Sequence, residues 1–231
     1  MPTLAVFGAG PAFGLSVAHR FGREGYAVTL VGRNPATLEP LTASLRAADV
    51  SATAVVADLT DRNRVREVAR TLRAPDVTVY SPGDVSRLPV AALDLDAEEL
   101  ESWLPLNLLS PVALTRALLP GLLARGSGSL VVALGSSVRT PDPVLASSAV
   151  PQSALLQYLH SVAASVGPRG VDVHAFLIGS LIERSAAAAL VDQGHFDEQL
   201  SGVLPRISPD VLADRVYSLV GRTDTVETAA A

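Results

Sequence analysis

A doubly wound α/β fold, built as a single domain around a parallel sheet, is the fold class that this sequence predicts. Short β-branched runs alternate with longer helical stretches along most of the chain, which is typical of a parallel sheet covered by helices. The first of these runs leads directly into a glycine-rich turn and a helix. The 231 residues suit one such domain, and we expect residues 1–231 to form it without a linker.

The predicted strands are mostly continuous apolar runs, as expected for strands that are covered on both faces. Six of them are Thr3–Phe7, Ala27–Val31, Ala52–Ala57, Val77–Tyr80, Ser129–Leu134 and Val171–Ile178. A final edge strand is predicted at Thr225–Ala229.

Helical segments are predicted between the strands. They lie near Phe13–Glu24, Pro35–Ala48, Arg62–Arg73, Ala97–Leu123 and Ala149–Val166. Asn34 is placed to cap the second helix and Asp61 to cap the third, because their side chains accept hydrogen bonds from the first-turn amides.

After residue 178 the strand and helix pattern loosens. Residues 179–208 contain glycine, serine and an alanine run, and we expect them to form a mobile helical lid over a site. A last helix is predicted from Ser208 to about Val220.

Composition and charge exclude several classes of function. A net charge of −5 without a basic run predicts no nucleic-acid partner and no membrane partner. The absence of cysteine excludes disulfides, thiol nucleophiles and thiolate metal sites, and it fits a reducing compartment. The sequence shows no metal-ligand spacing, no signal peptide and no apolar run near the ~20 residues of a spanning helix, so we expect a cytoplasmic protein without a metal.

All 18 residues in the combined lysine and arginine count are arginines, so the chain contains no lysine. A genome biased towards arginine codons would explain this. Any mechanism that needs a lysine ammonium is excluded as well, and the two interpretations are compatible.

The turn after the first strand has the pattern of a phosphate-binding site. It contains Gly8, Gly10 and Gly14, with Ala12 and Phe13 before the last glycine. Glycine allows a tight turn and a close approach to a diphosphate, and the following helix offers unpaired amides and the positive end of its dipole. The strand–turn–helix context therefore predicts a dinucleotide site, and the alternative is a tight turn that binds nothing.

The end of the second strand predicts the type of dinucleotide. In this fold class that position meets the adenosine ribose, and an acidic residue there accepts the 2′-hydroxyl of NAD. Here Arg33 and Asn34 follow a glycine, and a guanidinium suits a 2′-phosphate, so NADP(H) is favoured over NAD(H). The alternative is a solvent-exposed arginine. Asp58 and Leu59 follow the third strand and either meet the adenine or begin a helix.

Five segments in order along the chain carry a family resemblance: the glycine turn, Asp58-Leu59, Trp103–Pro111, Ser136-Ser137 and Gly170–Gly179. With them the sequence resembles the short-chain dehydrogenase/reductase family from Thr3 to about Val220. The resemblance implies a Rossmann-type NAD(P)-binding domain, oxidoreductase activity on a small organic substrate, and a homodimer or homotetramer.

The resemblance also implies roles for individual residues. Asn107 corresponds to the asparagine that helps to hold a proton-relay water, and Ser137 to the catalytic serine. Two turns that differ from the family pattern are still expected to contact the cofactor. Their residues are Ser81 and Gly83 after the fourth strand, and Ile178 and Gly179 before the lid.

The largest departure lies in the helix that bears the family's Tyr-x-x-x-Lys pair. Aligned through Ser153, the tyrosine position holds Val150 and the lysine position holds Ala154. None of the four tyrosines has a basic residue four positions later. In carbonyl reduction the tyrosine donates the proton and the lysine lowers its pKa, so loss of this acid is expected to slow ordinary ketone reduction by ~10²–10⁴-fold.

Two residues are candidates to replace the missing acid. The Ser137 hydroxyl either bonds a substrate oxygen or caps a strand end. The phenol of Tyr80 either reaches the pocket or packs on a neighbouring helix.

Three functions remain open from the sequence. The first is an NADP(H)-dependent oxidoreductase with an unusual proton donor. The second is a redox-inactive homologue that acts as a regulatory or assembly partner. The third is a non-redox enzyme, such as a cyclase, dehydratase or isomerase, that reuses the pocket. The fold alone does not choose among them.

Overall fold

Seven parallel strands form the central sheet of the protein, in a computed structural model that describes residues 1–194 and 205–229. The strands are β1 (Thr3–Phe7), β2 (Ala27–Gly32), β3 (Ala52–Val56), β4 (Val77–Tyr80), β5 (Gly128–Gly135), β6 (Val171–Ile178) and β9 (Glu227–Ala229). Their order across the sheet is β3-β2-β1-β4-β5-β6-β9. Two short strands, β7 (Leu181–Ile182) and β8 (Arg206–Ile207), pair in parallel outside the sheet.

Helices connect these strands and cover both faces of the sheet. They are α1 (Phe13–Gly22), α2 (Pro35–Ala47), α3 (Arg62–Thr71), α4 (Ala97–Leu104), α5 (Ser110–Arg125), α6 (Ala146–Val166), α7 (Ala186–Asp192) and α8 (Pro209–Leu219). The two caps expected from the sequence are present. The Asn34 side chain accepts the Ala36 amide at 2.9 Å, and the Asp61 side chain accepts the Asn63 amide at 2.8 Å.

Two hydrophobic cores lie on opposite faces of the sheet. Successive residues of β1 belong to different cores, because side chains alternate along a strand: Val6 packs with α1, α2 and α8, whereas Phe7 packs with α3, α5 and α6. Buried residues on both faces are the defining property of a doubly wound fold, so the predicted fold class is confirmed.

The chain reverses its direction across the sheet between β1 and β4. After β1 it builds outward through β2 and β3, then returns to place β4 against the other side of β1. Loops that leave these two neighbouring strands diverge and open a crevice at their carboxyl ends, which is where ligands bind in open α/β sheets.

The predicted helix Ala97–Leu123 is interrupted. A π-helical turn, Pro105–Leu109, separates α4 from α5. The combined stretch Ala97–Arg125 is long and apolar enough to cross a membrane by length and composition, so the expectation that no segment reaches this limit is wrong. Leu114, Leu118 and Leu122 of this stretch lie in the core against the sheet, and a core helix meets the same two criteria.

The segment predicted as a helical lid contains β7, α7 and β8 in its described part, while residues 195–204 lie outside the described residues. Two ion pairs hold the described part in place. Arg184 contacts Asp210 at 2.7 Å, and Arg206 contacts Asp192. The other carboxylate oxygen of Asp210 accepts the hydroxyl of Ser16 in α1 at 2.6 Å, so the segment is joined to the first helix.

Candidate functional site

A cavity of about 1040 Å³ runs along the carboxyl ends of the strands. The residues that the sequence assigned to a cofactor all line it: Gly8, Gly10, Ala12, Phe13, Gly14, Arg33, Asn34, Asp58, Leu59, Ser81, Gly83, Ile178 and Gly179. Ser137 lines it as well, whereas Tyr80 and Asn107 do not. The cavity therefore brings together segments that are up to 179 residues apart, from Gly8 to Ala187.

The first turn of this cavity requires glycine at Gly8. Its φ of +88° lies in the left-handed region, and a Cβ on it would stand 2.4 Å from the backbone of Pro82. The amides of Gly8 and Ala9 both bond the carbonyl of Val31, at 2.9 and 3.0 Å. The turn is thus packed between the loop after β4 and the end of β2.

The rest of the turn is open and rich in unpaired donors. Among the residues that the structure describes, the amides of Gly10, Ala12, Phe13 and Gly14 have no acceptor, and no side chain caps α1. A Cβ on Gly10 would meet nothing within 4 Å. Unpaired amides at a helix N-terminus, with clear space before them, fit a pyrophosphate group.

Two buried hydroxyls on the cavity wall also lack partners. Within the described part of the chain, neither Ser81 Oγ nor Ser180 Oγ has a hydrogen-bond partner. Both residues line the cavity. Buried polar groups are normally paired, so these two are groups that a bound ligand would satisfy.

At the β2 end of the cavity, one arginine faces one carboxylate. Arg33 is 61% exposed and pairs with Asp84 of the β4 loop at 3.2 Å. Burial raises the pKa of the Asp84 carboxyl, but hydrogen bonds from Ser86 and the charge of Arg33 outweigh it, and its pKa lies below the ordinary value. Asp58 accepts the amide of Thr60 at 2.9 Å and lies on the same wall.

Tyr80 does not line the cavity, so of the two alternatives for its phenol the structure contradicts the one in which it reaches the pocket as a proton donor and supports packing in the core. The side chain is 3% exposed and packs in the core on the other face of the sheet from α1. Its hydroxyl donates to the carbonyl of Leu106 at 2.7 Å. Burial raises the pKa of this phenol far above its ordinary value.

Asn107 lies behind the cavity wall and contacts it through Gln152. Its side-chain oxygen accepts from the Gln152 amide at 3.0 Å, and its own amide donates to the carbonyl of Trp103 at 3.1 Å. The Gln152 oxygen accepts the backbone amide of Gly135 at 2.7 Å, and Gln152 lines the cavity. Asn107 therefore holds a lining residue in place.

The face that α6 turns towards the cavity differs from the one assumed in the sequence alignment. Val150 is 48% exposed, and neither it nor Ala154 lines the cavity. Gln152 does line it, and Ser148 lies one turn earlier on the same side of the helix. Neither of the two positions predicted for the pair, Val150 and Ala154, therefore lies in the cavity lining.

The wall beyond β5 carries hydroxyls. Ser136 and Ser137 both line the cavity, directly after the Gly135 amide that Gln152 holds. Only Ser137 was singled out from the sequence, and the structure places its neighbour on the same wall. Among residues 1–194 and 205–229, no cluster of three histidine or acidic side chains is arranged to bind a metal.

The chain matches the family described as short chain dehydrogenase over residues 2–189. It belongs to that family. This short-chain dehydrogenase is 28% identical over 230 residues to Dehydrogenase/reductase SDR family protein 7-like of Drosophila melanogaster, and the match covers 95% of the chain and 69% of the relative. The chain spans between 54% and 69% of the length of the first curated relatives that it matches.

Solved structures share the fold of this short-chain dehydrogenase. Actinorhodin polyketide ketoreductase with NADPH has a TM-score of 0.87 at 20% identity, covering 99% of this chain and 95% of that chain. An NADPH-bound short chain oxidoreductase from Pseudomonas aeruginosa PAO1, described as containing an atypical catalytic center, has a TM-score of 0.81 at 22% identity, covering 99% and 95%.

One residue of α6 in this short-chain dehydrogenase, Gln152, lines the cavity. Ser148 lies four residues earlier on the same side of the helix, which is the spacing of the family's Tyr-x-x-x-Lys pair. Helix periodicity was the signal for this register, since Leu155, Leu159 and Val162 are buried and Gln152 precedes them on that side. This register contains neither a phenol nor an ammonium.

Proposed function

We propose that this short-chain dehydrogenase is an NADP(H)-dependent oxidoreductase that acts on a small organic substrate without a tyrosine acid. The observation that carries the proposal is the open turn before α1 with Arg33 at the neighbouring strand end. A cytoplasmic location, favoured by composition, and assembly as a dimer or tetramer, implied by the family, are proposals too.

The residues present fit a dinucleotide along the length of the cavity. Amides of Ala12, Phe13 and Gly14 would bind the pyrophosphate, and Arg33 would bind a 2′-phosphate in a charge-assisted contact. To do so, Arg33 exchanges Asp84 for the phosphate. NADPH is named for both solved structures described above, which supports this choice of nucleotide.

The chemistry that the chain itself offers is hydrogen bonding by hydroxyls. A nicotinamide cofactor supplies or accepts a hydride when it is bound. Ser136 and Ser137 would donate to the substrate oxygen and stabilise the charge that develops there. With no acidic side chain at Ser148 or Gln152, the proton comes from water, and we expect activated carbonyl compounds to react faster than simple ketones.

Nucleotide titration tests this proposal. We expect wild-type protein to bind NADPH more tightly than NADH, and Arg33→Ala to weaken NADPH binding at least tenfold while leaving NADH binding within about twofold, because one charge-assisted contact is worth roughly 1.5–3 kcal/mol. Fluorescence of the bound reduced nicotinamide gives both dissociation constants.

Arg70→Ala is the matched control, since it removes an exposed arginine of α3 that does not line the cavity. It should leave both constants unchanged. A wild-type protein that prefers NADH, or an Arg33→Ala variant that loses both nucleotides equally, would contradict the NADP(H) assignment. Absence of binding by either nucleotide would favour the non-redox alternative.

A further inference from the structure

Among the described residues, the two ends of the cavity differ in whether a cation lines them. The nucleotide end carries Arg33 together with Asp58 and Asp84, whereas the wall beyond β5 carries hydroxyls, apolar side chains and one carboxylate. Resting on the proposed function, we propose that this far end binds an uncharged carbonyl or hydroxyl compound with an apolar carbon skeleton, and that Asp142 makes it reject carboxylates.

The far end is formed by two segments that the proposed nucleotide contacts leave unused. One runs from Ser136 to Leu145 after β5, and the other from Leu181 to Ala187 after β6. Both segments line the same cavity as Gln152. A substrate bonded to Ser137 would therefore share the cavity with the side chains of these two segments.

Most of the side chains that these segments add are apolar. They are Pro141, Pro143, Leu145, Leu181, Ile182, Ala186 and Ala187. Apolar walls with a few convergent polar groups are typical of sites for small uncharged molecules. The hydroxyls of Ser136, Ser137 and Thr140 supply those polar groups.

No cation of the described residues lines this end. Two arginines stand next to lining residues in the sequence, but each is paired with a carboxylate outside the cavity lining. The pairs are Arg139–Glu227 and Arg184–Asp210, and Arg206 of β8 is paired with Asp192. The sequence of residues 195–204 contains one histidine, His195, and no arginine, and the whole chain contains no lysine.

Asp142 adds a negative charge to the same wall. One of its oxygens accepts the amide of Val144 at 2.9 Å, and the other has no partner among the described residues. A substrate carboxylate placed here would lose its water without gaining a cation and would face a like charge, both of which oppose binding.

A matched pair of ligands tests the inference: methyl benzoylformate, which is neutral, and benzoylformate, which has the same skeleton with a carboxylate. Binding is measured by ligand-observed NMR on the full chain, with and without NADPH, and NADPH binding is measured separately on the same sample. We expect the ester to bind at least about tenfold more tightly than the anion.

Two variants assign the selectivity. Asp142→Asn keeps an oxygen for the Val144 amide and removes the charge, so affinity for the anion should rise severalfold while affinity for the ester stays within twofold. Asp49→Asn removes a charge from the exposed connection between α2 and β3, at the opposite edge of the sheet, and should change neither.

The outcomes separate the two proposals. Equal or tighter binding of the anion, or no binding of the ester, overturns the substrate class even if NADPH binds. An unchanged ratio in Asp142→Asn overturns the role of Asp142. Selective ester binding without any NADPH binding supports the substrate class and contradicts the proposed function.

Discussion

Gln152 connects three parts of the cavity wall through one side-chain amide. It receives the Gly135 amide at the end of β5, and it donates to Asn107 in the π-helical turn. Both hydrogen-bonding ends of the side chain are therefore used by the protein. A neutral amide that is bonded at both its oxygen and its nitrogen orients the wall but supplies no proton.

Reintroducing a phenol and an ammonium on the cavity side of α6 should raise the rate of ketone reduction. We expect Ser148→Tyr/Gln152→Lys to reduce cyclohexanone at least ~10²-fold faster than wild type, because a positioned acid contributes ~10²–10⁴-fold. The variant loses the bond from Gly135, which should cost about 1 kcal/mol of stability. NADPH consumption at 340 nm and urea unfolding measure the two effects.

The same two residues placed two positions later provide the control. Val150→Tyr/Ala154→Lys changes the exposed side of α6 and should leave the rate at the wild-type level. An equal gain in both double variants, or a gain only in the control, would show that the register read from the structure is wrong.

The residues of the glycine turn were predictable, whereas the direction of individual side chains was not. Gly8 and Gly10 act through the backbone, and the need for glycine at these positions can be read from the neighbouring residues alone. Tyr80 ends a strand whose residues are all buried, so alternation gives no clue to its face. The rotation of α6 depends on how it packs against β6, and a single serine at Ser153 was too weak a marker to define it.

At the scale of secondary-structure elements, a cluster of charged side chains connects the edge strand β9 to the cavity wall. Glu227 of β9 accepts Arg139 Nε at 2.8 Å and contacts His160 of α6 at 2.6 Å. The hydrogen bond from Arg139 lowers the pKa of Glu227 most; burial opposes it and His160 adds to it, and the result is a pKa of about 2 against an ordinary 4.5. Arg139 directly precedes Thr140 of the wall.

This depressed pKa predicts how the stability of the strand attachment depends on pH. The folded state binds the carboxylate form more favourably, so Glu227 stabilises the fold above pH 4.5, and this contribution is lost as the pH falls towards 2. We expect Glu227→Gln to be less stable than wild type at pH 7, with the difference shrinking below pH 4.5. Urea unfolding at several pH values measures it.

Glu101→Gln, an exposed change on α4 without an ion pair among the described residues, should show no such convergence with wild type. A constant difference between wild type and Glu227→Gln from pH 7 to pH 3 would mean that the Glu227 carboxylate is not stabilised by Arg139 and His160.

Element types were predicted well, because buried strands and capped helices leave local patterns. The sequence prediction fails where tertiary contacts override these local patterns. The π-helical turn at Pro105–Leu109 opens where Tyr80 bonds Leu106 and Gln152 bonds Asn107, two contacts that no local pattern contains. The parallel pairing of β7 with β8 joins segments 25 residues apart, from Leu181 to Arg206.

At the scale of the whole molecule, a bound nucleotide should stabilise the fold, since its proposed contacts come from the ends of β1, β2, β4 and β6. A ligand at 100 times its dissociation constant stabilises the fold by about 2.7 kcal/mol. For a domain of this size we expect NADPH to raise the melting temperature by about 5–10 °C. Differential scanning fluorimetry measures this shift.

Gly10→Val separates binding from folding in that experiment. A Cβ at Gly10 meets nothing within 4 Å, so the variant should melt near the wild-type temperature, yet its side chain fills the space over the turn. It should therefore lose the NADPH-dependent shift. A full shift in Gly10→Val would place the nucleotide elsewhere.

The ion pair between Arg33 and Asp84 means that a carboxylate of the protein competes with a nucleotide phosphate for Arg33. If Arg33 binds the 2′-phosphate as proposed, an arriving nucleotide would have to break the contact with Asp84, and this contact would form again when the nucleotide leaves. An exposed pair of this kind is worth at most about 1 kcal/mol, or less than a tenfold loss of affinity. Such an exchange of partners would shorten the residence time of the dinucleotide, which suits a cofactor that is replaced at every turnover.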